Sequence, residues 1–123
     1  MRLRLLASAA SAVVLSASHM AYAQGDTSKG ARVFKKCATC HSTSTGQNKQ
    51  GPHLKGIWGR PAGKVRRYNY SSAMRKAGLV WEDATLRAFL TDPGGTVPGT
   101  KMSFSGIKNQ DDLTNLLAYL RGL

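Results

Sequence analysis

Two cysteines and a histidine lie close together in the chain, in the order Cys37, Cys40 and His41. Residues three and four apart share one face of a helix, so a helical segment here would direct all three side chains to one side. Two thiols at this separation can add to the two vinyl groups on one edge of a porphyrin, and the adjacent imidazole then lies beneath the iron. The C-x-x-C-H pattern is typical of covalent haem attachment, and it predicts one haem c bound through Cys37 and Cys40.

Three other uses of the same residues remain open at this point. A thioredoxin-like redox pair would need a strand–helix–strand setting, which the surrounding sequence does not provide. A zinc site would need four nitrogen or sulfur ligands, and His53 would have to complete it at an unusual spacing. A plain disulfide would close a loop too small to constrain much of the unfolded chain. Haem attachment is the interpretation that we favour.

The first 23 residues have the features of an export signal. Residues 1–4 form a short basic head, residues 5–17 are mostly apolar, and Ala21-Tyr22-Ala23 is the small-x-small pattern that signal peptidase accepts. The apolar run is shorter than the roughly 20 residues of a membrane-spanning helix. We therefore predict cleavage after Ala23, export to the periplasm of a bacterium and no permanent membrane anchor. Residues 24–123 are long enough for one domain.

Basic residues dominate the chain, which has 18 Lys and Arg against 6 Asp and Glu and a net charge of +12. Loss of Arg2 and Arg4 with the leader would lower this charge to +10. A small basic protein usually meets an acidic partner. Export argues against nucleic acid, as does the lack of aromatic residues alternating with basic ones. An acidic protein surface is the expected partner, and a charge that serves only solubility is the alternative.

The rest of the sequence predicts short helices separated by long loops. Four helices are expected: one capped by Thr27 or Ser28 and running to the cysteines, one over residues 72–77, one opening at Glu82 and Asp83 and ending before Pro93, and one opening at Asp111 and Asp112. The last carries leucines at i, i+3, i+4 and i+7, as an amphipathic helix requires. Residues 42–63 and 91–100 are rich in Gly and Pro and are predicted to lack secondary structure. The predicted fold class is all-α.

Beyond the cysteine pattern, further motifs follow one another along most of the chain. They are Gly51-Pro52-His53-Leu54-Lys55-Gly56, Gly59-Arg60, Trp81, the stretch from Pro98 to Ile107, and Ala118-Tyr119-Leu120. Their order and spacing resemble class I cytochromes c, with the nearest likeness to the mitochondrial protein and the short bacterial cytochromes related to it. The resemblance spans about residues 25–120. It implies short helices and long loops wrapped around one covalently bound haem.

The same resemblance implies roles for residues around the haem. Met102 matches the family's second iron ligand beside His41, and the carbonyl of Pro52 is expected to accept a hydrogen bond from that histidine. Two protein ligands leave no open position on iron, and a neutral thioether favours the ferrous state, which implies electron transfer and no enzyme. The other residues placed at the haem are Arg60, Tyr70 and Trp81, at a propionate, and Thr100, as a pocket hydroxyl.

Two positions depart from the mitochondrial pattern. Phe89 stands where relatives usually have a tyrosine near the methionine sulfur, and Met74 stands where they usually have an asparagine. The loss of both polar groups implies a drier pocket and an altered redox potential. Elsewhere the pattern is kept: Gly30 and Phe34 resemble the contact at which the first helix crosses the last.

The family docks through an exposed haem edge inside a ring of lysines. The candidates in this chain are Lys35, Lys36, Lys49, Lys55 and Lys101, followed by Arg66, Arg67 and Arg75. Such a ring implies fast, salt-sensitive binding of a monomer to acidic redox proteins. We expect a soluble single-electron carrier between a cytochrome bc-type complex and a terminal oxidase or photosynthetic reaction centre. The alternatives are an acceptor for a periplasmic dehydrogenase or, if Met102 does not ligate iron, a haem ligand sensor or peroxidase-like enzyme.

Overall fold

The computed structural model describes residues 24–123, and those residues form five short helices and several long loops. The helices are α1 (Thr27–Ala38), α2 (Ser72–Lys76), α3 (Asp83–Thr91), α4 (Pro93–Thr96) and α5 (Gln110–Arg121). Over this range the only β-type pairing is an isolated bridge between Pro61 and Val80. The all-α prediction is confirmed, while the predicted leader lies outside the described residues. Across residues 24–123, no helix meets the length and hydrophobicity that a membrane span requires.

Helix α1 is capped one residue earlier than the sequence predicted. The Asp26 carboxylate accepts a hydrogen bond from the backbone N–H of Lys29 at 2.9 Å, so Asp26 is the N-cap and the prediction of Thr27 or Ser28 was wrong. Aspartate is a stronger cap than threonine. In addition, the backbone N–H of Asp26 donates to Oδ1 of Asn115 at 2.8 Å, which fixes this residue against α5.

Helix α4 occupies part of a segment that was predicted to be loop. Pro93 ends α3, as expected, but it also provides the first turn of α4, where its missing N–H costs nothing and its fixed φ suits a helix. The Asp92 side chain caps this turn by accepting from the backbone N–H of Gly95 at 3.0 Å. This helix was not predicted from the sequence because two of its four residues are glycines, and glycine is a poor helix former. The prediction of a structureless loop over residues 91–100 was therefore wrong at residues 93–96, and also at Thr91, which is the last residue of α3.

The first and last helices cross at a glycine. A Cβ atom added to Gly30 would overlap the backbone carbonyl of Asn115, so only glycine lets α1 approach α5 this closely. Next to this crossing, the rings of Phe34 and Tyr119 pack with centroids 5.0 Å apart. The contact implied by the resemblance is present.

The apolar face of α5 forms the centre of the core. Its four leucines at 113, 116, 117 and 120 are buried, and Leu113 and Leu116 are completely inaccessible. Leu86, Phe89 and Leu90 of α3 belong to the same core. Since Leu116 and Leu120 also border the cavity described next, the packing of α5 fixes one of its walls.

Candidate functional site

A cavity of about 460 Å³ opens within the described part of the chain. Every residue predicted to hold the cofactor lies on its lining: Cys37, Cys40, His41, Pro52, Arg60, Tyr70, Trp81, Thr100 and Met102. The volume falls within the roughly 300–1,000 Å³ of small-molecule and cofactor sites. The fold thus brings together residues that are far apart in the sequence around a single space.

The two cysteines lie at the end of α1. Cys37 belongs to its last turn, and the backbone N–H groups of Cys40 and His41 both donate to the carbonyl of Cys37, at 3.0 and 2.9 Å. The chain therefore continues to wind for one turn beyond the helix, which keeps the three side chains on one side. The thiols are not joined to each other, and Cys40 Sγ donates to the side-chain oxygen of Gln50 at 3.1 Å. Burial raises the pKa of the Cys37 thiol to about 11.

The imidazole of His41 is oriented by the main chain. Its Nδ1 lies 2.7 Å from the carbonyl oxygen of Pro52. A carbonyl can only accept, so Nδ1 carries the proton and the lone pair of Nε2 remains available for a metal. Burial lowers the pKa of His41, against the opposing effect of the Pro52 hydrogen bond, and favours the neutral ring. The absence of a side chain at Gly51 makes room for this ring, because a Cβ there would overlap it.

Arg60 and Tyr70 place polar groups in an otherwise mostly apolar cavity. The Arg60 guanidinium donates to the backbone carbonyls of His53 and Lys55 at 3.1 and 3.2 Å, and the Tyr70 hydroxyl accepts from the N–H of Val65 at 3.2 Å. Burial lowers the pKa of Arg60 and raises that of Tyr70. A guanidinium has five N–H donors, so donors remain for an anionic group of a ligand.

Trp81 is held against the same part of the chain through its backbone. Its N–H donates to the carbonyl of Arg60 at 2.9 Å, and its carbonyl accepts from the N–H of Gly59 at 2.6 Å. Its ring is buried and packs on Phe89 with centroids 5.1 Å apart. The two backbone hydrogen bonds explain why Trp81 and the Gly59-Arg60 motif, about twenty residues apart in the sequence, meet at one site.

Met102 lies on a loop that is anchored at both ends. The N–H of Thr100 donates to the carbonyl of Val97 at 2.9 Å, and the N–H of Ile107 donates to the carbonyl of Leu90 at 2.8 Å. Between these points the N–H of Met102 contacts the Thr100 hydroxyl at 3.4 Å. The half-buried Met102 side chain is thereby directed to the cavity by a short, constrained segment.

Several lining residues were not assigned to the site from the sequence. Met74 and Phe89 are buried and border the cavity, at the positions where the sequence departs from the mitochondrial pattern. Gln50 and Tyr68 also border it, although no motif or periodicity marked them. His53, the residue that a zinc site would have needed, is absent from the lining.

Comparison with known proteins gives one consistent result. The family model described as Cytochrome c matches residues 27–123. Cytochrome c2 of Agrobacterium tumefaciens (strain II Chrys) is 50% identical over 101 residues, which are 79% of this chain and 91% of that protein. Cytochrome c of Gibberella zeae is 46% identical over 101 residues, or 80% of this chain and 95% of that one. The structure of cytochrome cH from Methylobacterium extorquens superposes with a TM-score of 0.76 at 40% identity, covering 80% of this chain and 100% of that one.

The fold and the site define a class I cytochrome c. The chain belongs to the cytochrome c family, whose members carry electrons and are not enzymes. It binds one haem c covalently, with Cys37 and Cys40 in the attachment pattern. The residues present fit this group: both thiols border the cavity, His41 keeps one ring nitrogen free, and the cavity is mostly apolar. The haem supplies one-electron chemistry through its iron.

Proposed function

We propose that this protein shuttles single electrons with its haem iron held by His41 and Met102. The observation that carries this proposal is that an imidazole with a fixed tautomer and a thioether on a doubly anchored loop border the same cavity. With both positions on iron filled by protein, oxygen, peroxide and other small ligands have no ready access to the metal. The arrangement favours a carrier over a ligand sensor or a peroxidase-like enzyme.

Met74 is the competing thioether, because it also borders the cavity and is buried. It lies in α2, within a regular turn of helix, whereas Met102 lies on a loop that is held by a backbone hydrogen bond at each end. The Met74 side chain is also part of the hydrophobic core, where it packs against other buried residues. We therefore assign the ligand to Met102 and a packing role to Met74.

The remaining cavity residues hold and orient the haem in this proposal. Pro52 orients His41 through its carbonyl, and Arg60, Tyr70 and Trp81 face a propionate, which needs donors in an apolar pocket. Thr100 contributes its hydroxyl beside Met102. The chain's own part in electron transfer is to fix this geometry in both oxidation states, so that little has to rearrange when an electron arrives or leaves.

Residues 1–23 are proposed to be an export signal and residues 24–123 the haem domain. The basic head, the short apolar run and the Ala21-Tyr22-Ala23 pattern support this division. A periplasmic location also suits a protein that needs its two cysteines for haem. Mass spectrometry of the exported protein tests the division, with a mature N-terminus at Gln24 and one attached haem as the expected result.

The distribution of charge supports acidic redox proteins as partners. All six Asp and Glu residues lie outside residues 27–81, whereas most of the 18 Lys and Arg residues lie inside that range. Three of the acids, Asp26, Glu82 and Asp92, are helix N-caps and serve the fold. The cavity lining contains Lys36 and Lys101 and no carboxylate. An acidic protein surface would be attracted to this basic rim, and no carboxylate of the lining would repel it.

We propose a cytochrome bc-type complex as electron donor and a terminal oxidase or photosynthetic reaction centre as acceptor, with a periplasmic dehydrogenase as the alternative donor. The test is the second-order rate constant with each purified partner, measured from low to high ionic strength. For a true partner this constant should fall steeply as salt rises, because screening removes the attraction. A rate that does not change with salt would contradict docking by charge.

A pair of charge reversals separates local docking from net charge. Lys36→Glu changes the rim of the cavity, while Lys64→Glu makes the same change at an exposed residue outside the lining. At low salt we expect Lys36→Glu to lower the rate constant about tenfold and Lys64→Glu to lower it much less, with the two converging at high salt. Equal effects of the two reversals would mean that only the net charge matters.

A further inference from the structure

Tyr68 contacts two separate loops at the cavity. Its hydroxyl donates to the backbone carbonyl of Gln50 at 2.5 Å. Its ring lies beneath the ammonium group of Lys101, 4.6 Å from the ring centroid, and the same ammonium donates to the carbonyl of Asn69. Tyr68, Gln50 and Lys101 all border the cavity.

The two loops are those that serve the two proposed iron ligands. Gln50 immediately precedes Gly51 and Pro52, the residues that accommodate and orient His41. Lys101 immediately precedes Met102. One aromatic side chain therefore ties the loop on the His41 side to the loop on the Met102 side.

The connection differs from the other contacts of the Met102 loop. Most hydrogen bonds of the described residues 100–107 lie within the loop or join its first and last residues to Val97 and Leu90. The hydrogen bond of the Lys101 side chain is the exception. Of the hydrogen bonds and ring contacts made by these described residues, those of Lys101 are the ones that reach residues 68 and 69. The orientation of the Tyr68 ring is in turn supported by Tyr70, whose ring meets it edge to face at 4.7 Å.

We propose that Tyr68 is a positioning residue that holds the Met102 loop against the cavity and slows release of the Met102 sulfur from iron. The inference rests on the proposed ligation by Met102. Release requires the loop to move away, and such movement breaks the contact between Lys101 and the Tyr68 ring. The hydroxyl bond to Gln50 keeps the ring from following the loop. Loss of either interaction makes release easier, with no change to the ligand itself.

The experiment measures Met102 release directly in the haem-loaded ferric protein at pH 7. Excess imidazole displaces the thioether, and the weak far-red absorption band of methionine-bound ferric haem reports the loss. At saturating imidazole the observed rate levels off at the rate of release. Tyr68→Phe removes the bond to Gln50 and keeps the ring, and we expect the limiting rate to rise about fivefold. Tyr68→Leu also removes the ring beneath Lys101, and we expect a rise of about tenfold or more.

Two further variants make the result specific. Tyr119→Phe deletes the same hydroxyl at the crossing of α1 and α5, outside the cavity lining, and should leave the limiting rate unchanged. Lys101→Leu removes the ammonium from the other side of the contact, together with its bond to the Asn69 carbonyl, and should raise the limiting rate at least as much as Tyr68→Leu does. Urea unfolding of each variant shows whether a change in rate merely follows a loss of global stability.

The outcomes distinguish this inference from the proposed function. A wild-type protein without the far-red band would contradict ligation by Met102. It would also contradict the proposed role of Tyr68, which is to slow release of that ligand. If the wild-type protein shows the band but Tyr68→Phe and Tyr68→Leu both release Met102 at the wild-type limiting rate, the role of Tyr68 alone is overturned. Faster release in these variants, with Tyr119→Phe unchanged, is the expected result.

Discussion

The Nδ1 proton of His41 is donated to the carbonyl oxygen of Pro52 across 2.7 Å. Because the acceptor belongs to the main chain, it cannot be protonated and its strength does not vary with pH as that of a carboxylate would. Proline also fixes its own φ, which removes one of the two backbone rotations that could turn this carbonyl. The ring that is proposed to bind iron is thus held in one tautomer and one orientation by a rigid part of the backbone.

Substitution of Gly51 tests how tightly this ring is held. In Gly51→Ala the new Cβ overlaps the His41 imidazole, so the ring must turn away from Pro52 or the loop must shift. We expect a loss of about 2 kcal/mol or more in the free energy of unfolding and a partly high-spin ferric spectrum, because the iron–histidine bond is strained. Urea unfolding and visible spectra measure the two effects. A stable, fully low-spin Gly51→Ala protein would show that the loop tolerates the extra atom.

The crossing of α1 and α5 gives a prediction about stability alone. In Gly30→Ala the methyl group overlaps the backbone of Asn115, which cannot move without shifting α5. We expect a loss of about 3 kcal/mol in the free energy of unfolding, at the upper end of overpacking costs. Gly94→Ala is the matched control, since a Cβ at Gly94 meets nothing within 4 Å. Equal urea midpoints for the two variants would contradict the close approach of the helices.

The two cavity methionines give a paired prediction. Met102→Leu should abolish the far-red ferric band and let ferrous haem bind carbon monoxide, because one position on iron is left open. Met74→Leu keeps the shape of the core, so it should keep the band, bind no carbon monoxide and cost less than about 1.5 kcal/mol of stability. Spectra of both variants with and without carbon monoxide provide the test. The reverse pattern would assign the thioether ligand to Met74.

The cap of α1 predicts a dependence of stability on pH. The N–H of Lys29 stabilises the Asp26 carboxylate and holds the pKa of Asp26 below its ordinary value. A depressed folded-state pKa adds stability that is present above the unfolded-state pKa and is lost as pH falls through the folded-state value. Asp26→Asn keeps a capping oxygen without the charge. We expect the wild type to exceed this variant in free energy of unfolding at pH 7 and to lose the excess below about pH 4.

Urea unfolding at several pH values measures the effect of Asp26. Because the carboxylate is exposed, added salt should reduce the difference between the two proteins. A difference that stays constant from pH 7 to pH 3 would mean that the charge of Asp26 makes no contribution to the helix.

Local patterns in the sequence predicted much of the fold and the attachment site. The spacing of Cys37, Cys40 and His41 encodes a shared face, and the leucines from Leu113 to Leu120 encode the buried face of α5, because both follow the period of a helix. The cap at Asp26 was missed because several neighbouring residues are also good caps, and contact with α5 decides between them. Helix α4 was missed because its glycines give no helical signal.

The rest of the site depends on contacts between distant segments, and such contacts produce no periodic pattern in the sequence. The bond from Tyr68 to Gln50 joins residues 18 apart through a backbone carbonyl, and any residue type could have supplied that acceptor. The same holds for Arg60, whose guanidinium is fixed by the carbonyls of His53 and Lys55. Sequence reasoning reached Arg60 through family resemblance, whereas Tyr68 matched no motif and became visible only when the loops were placed together.

Ligation of the haem iron by His41 and Met102 is tested most directly by the visible spectrum of the purified, haem-loaded protein. The spectrum is measured in the ferric and ferrous states, with and without carbon monoxide. We expect sharp c-type bands in the ferrous state that carbon monoxide leaves unchanged, and the weak far-red band of methionine-bound iron in the ferric state. This result would establish an iron held by His41 and Met102 in a closed electron carrier. A carbon monoxide shift at neutral pH, without the far-red band, would contradict that account and favour a ligand sensor or a peroxidase-like enzyme.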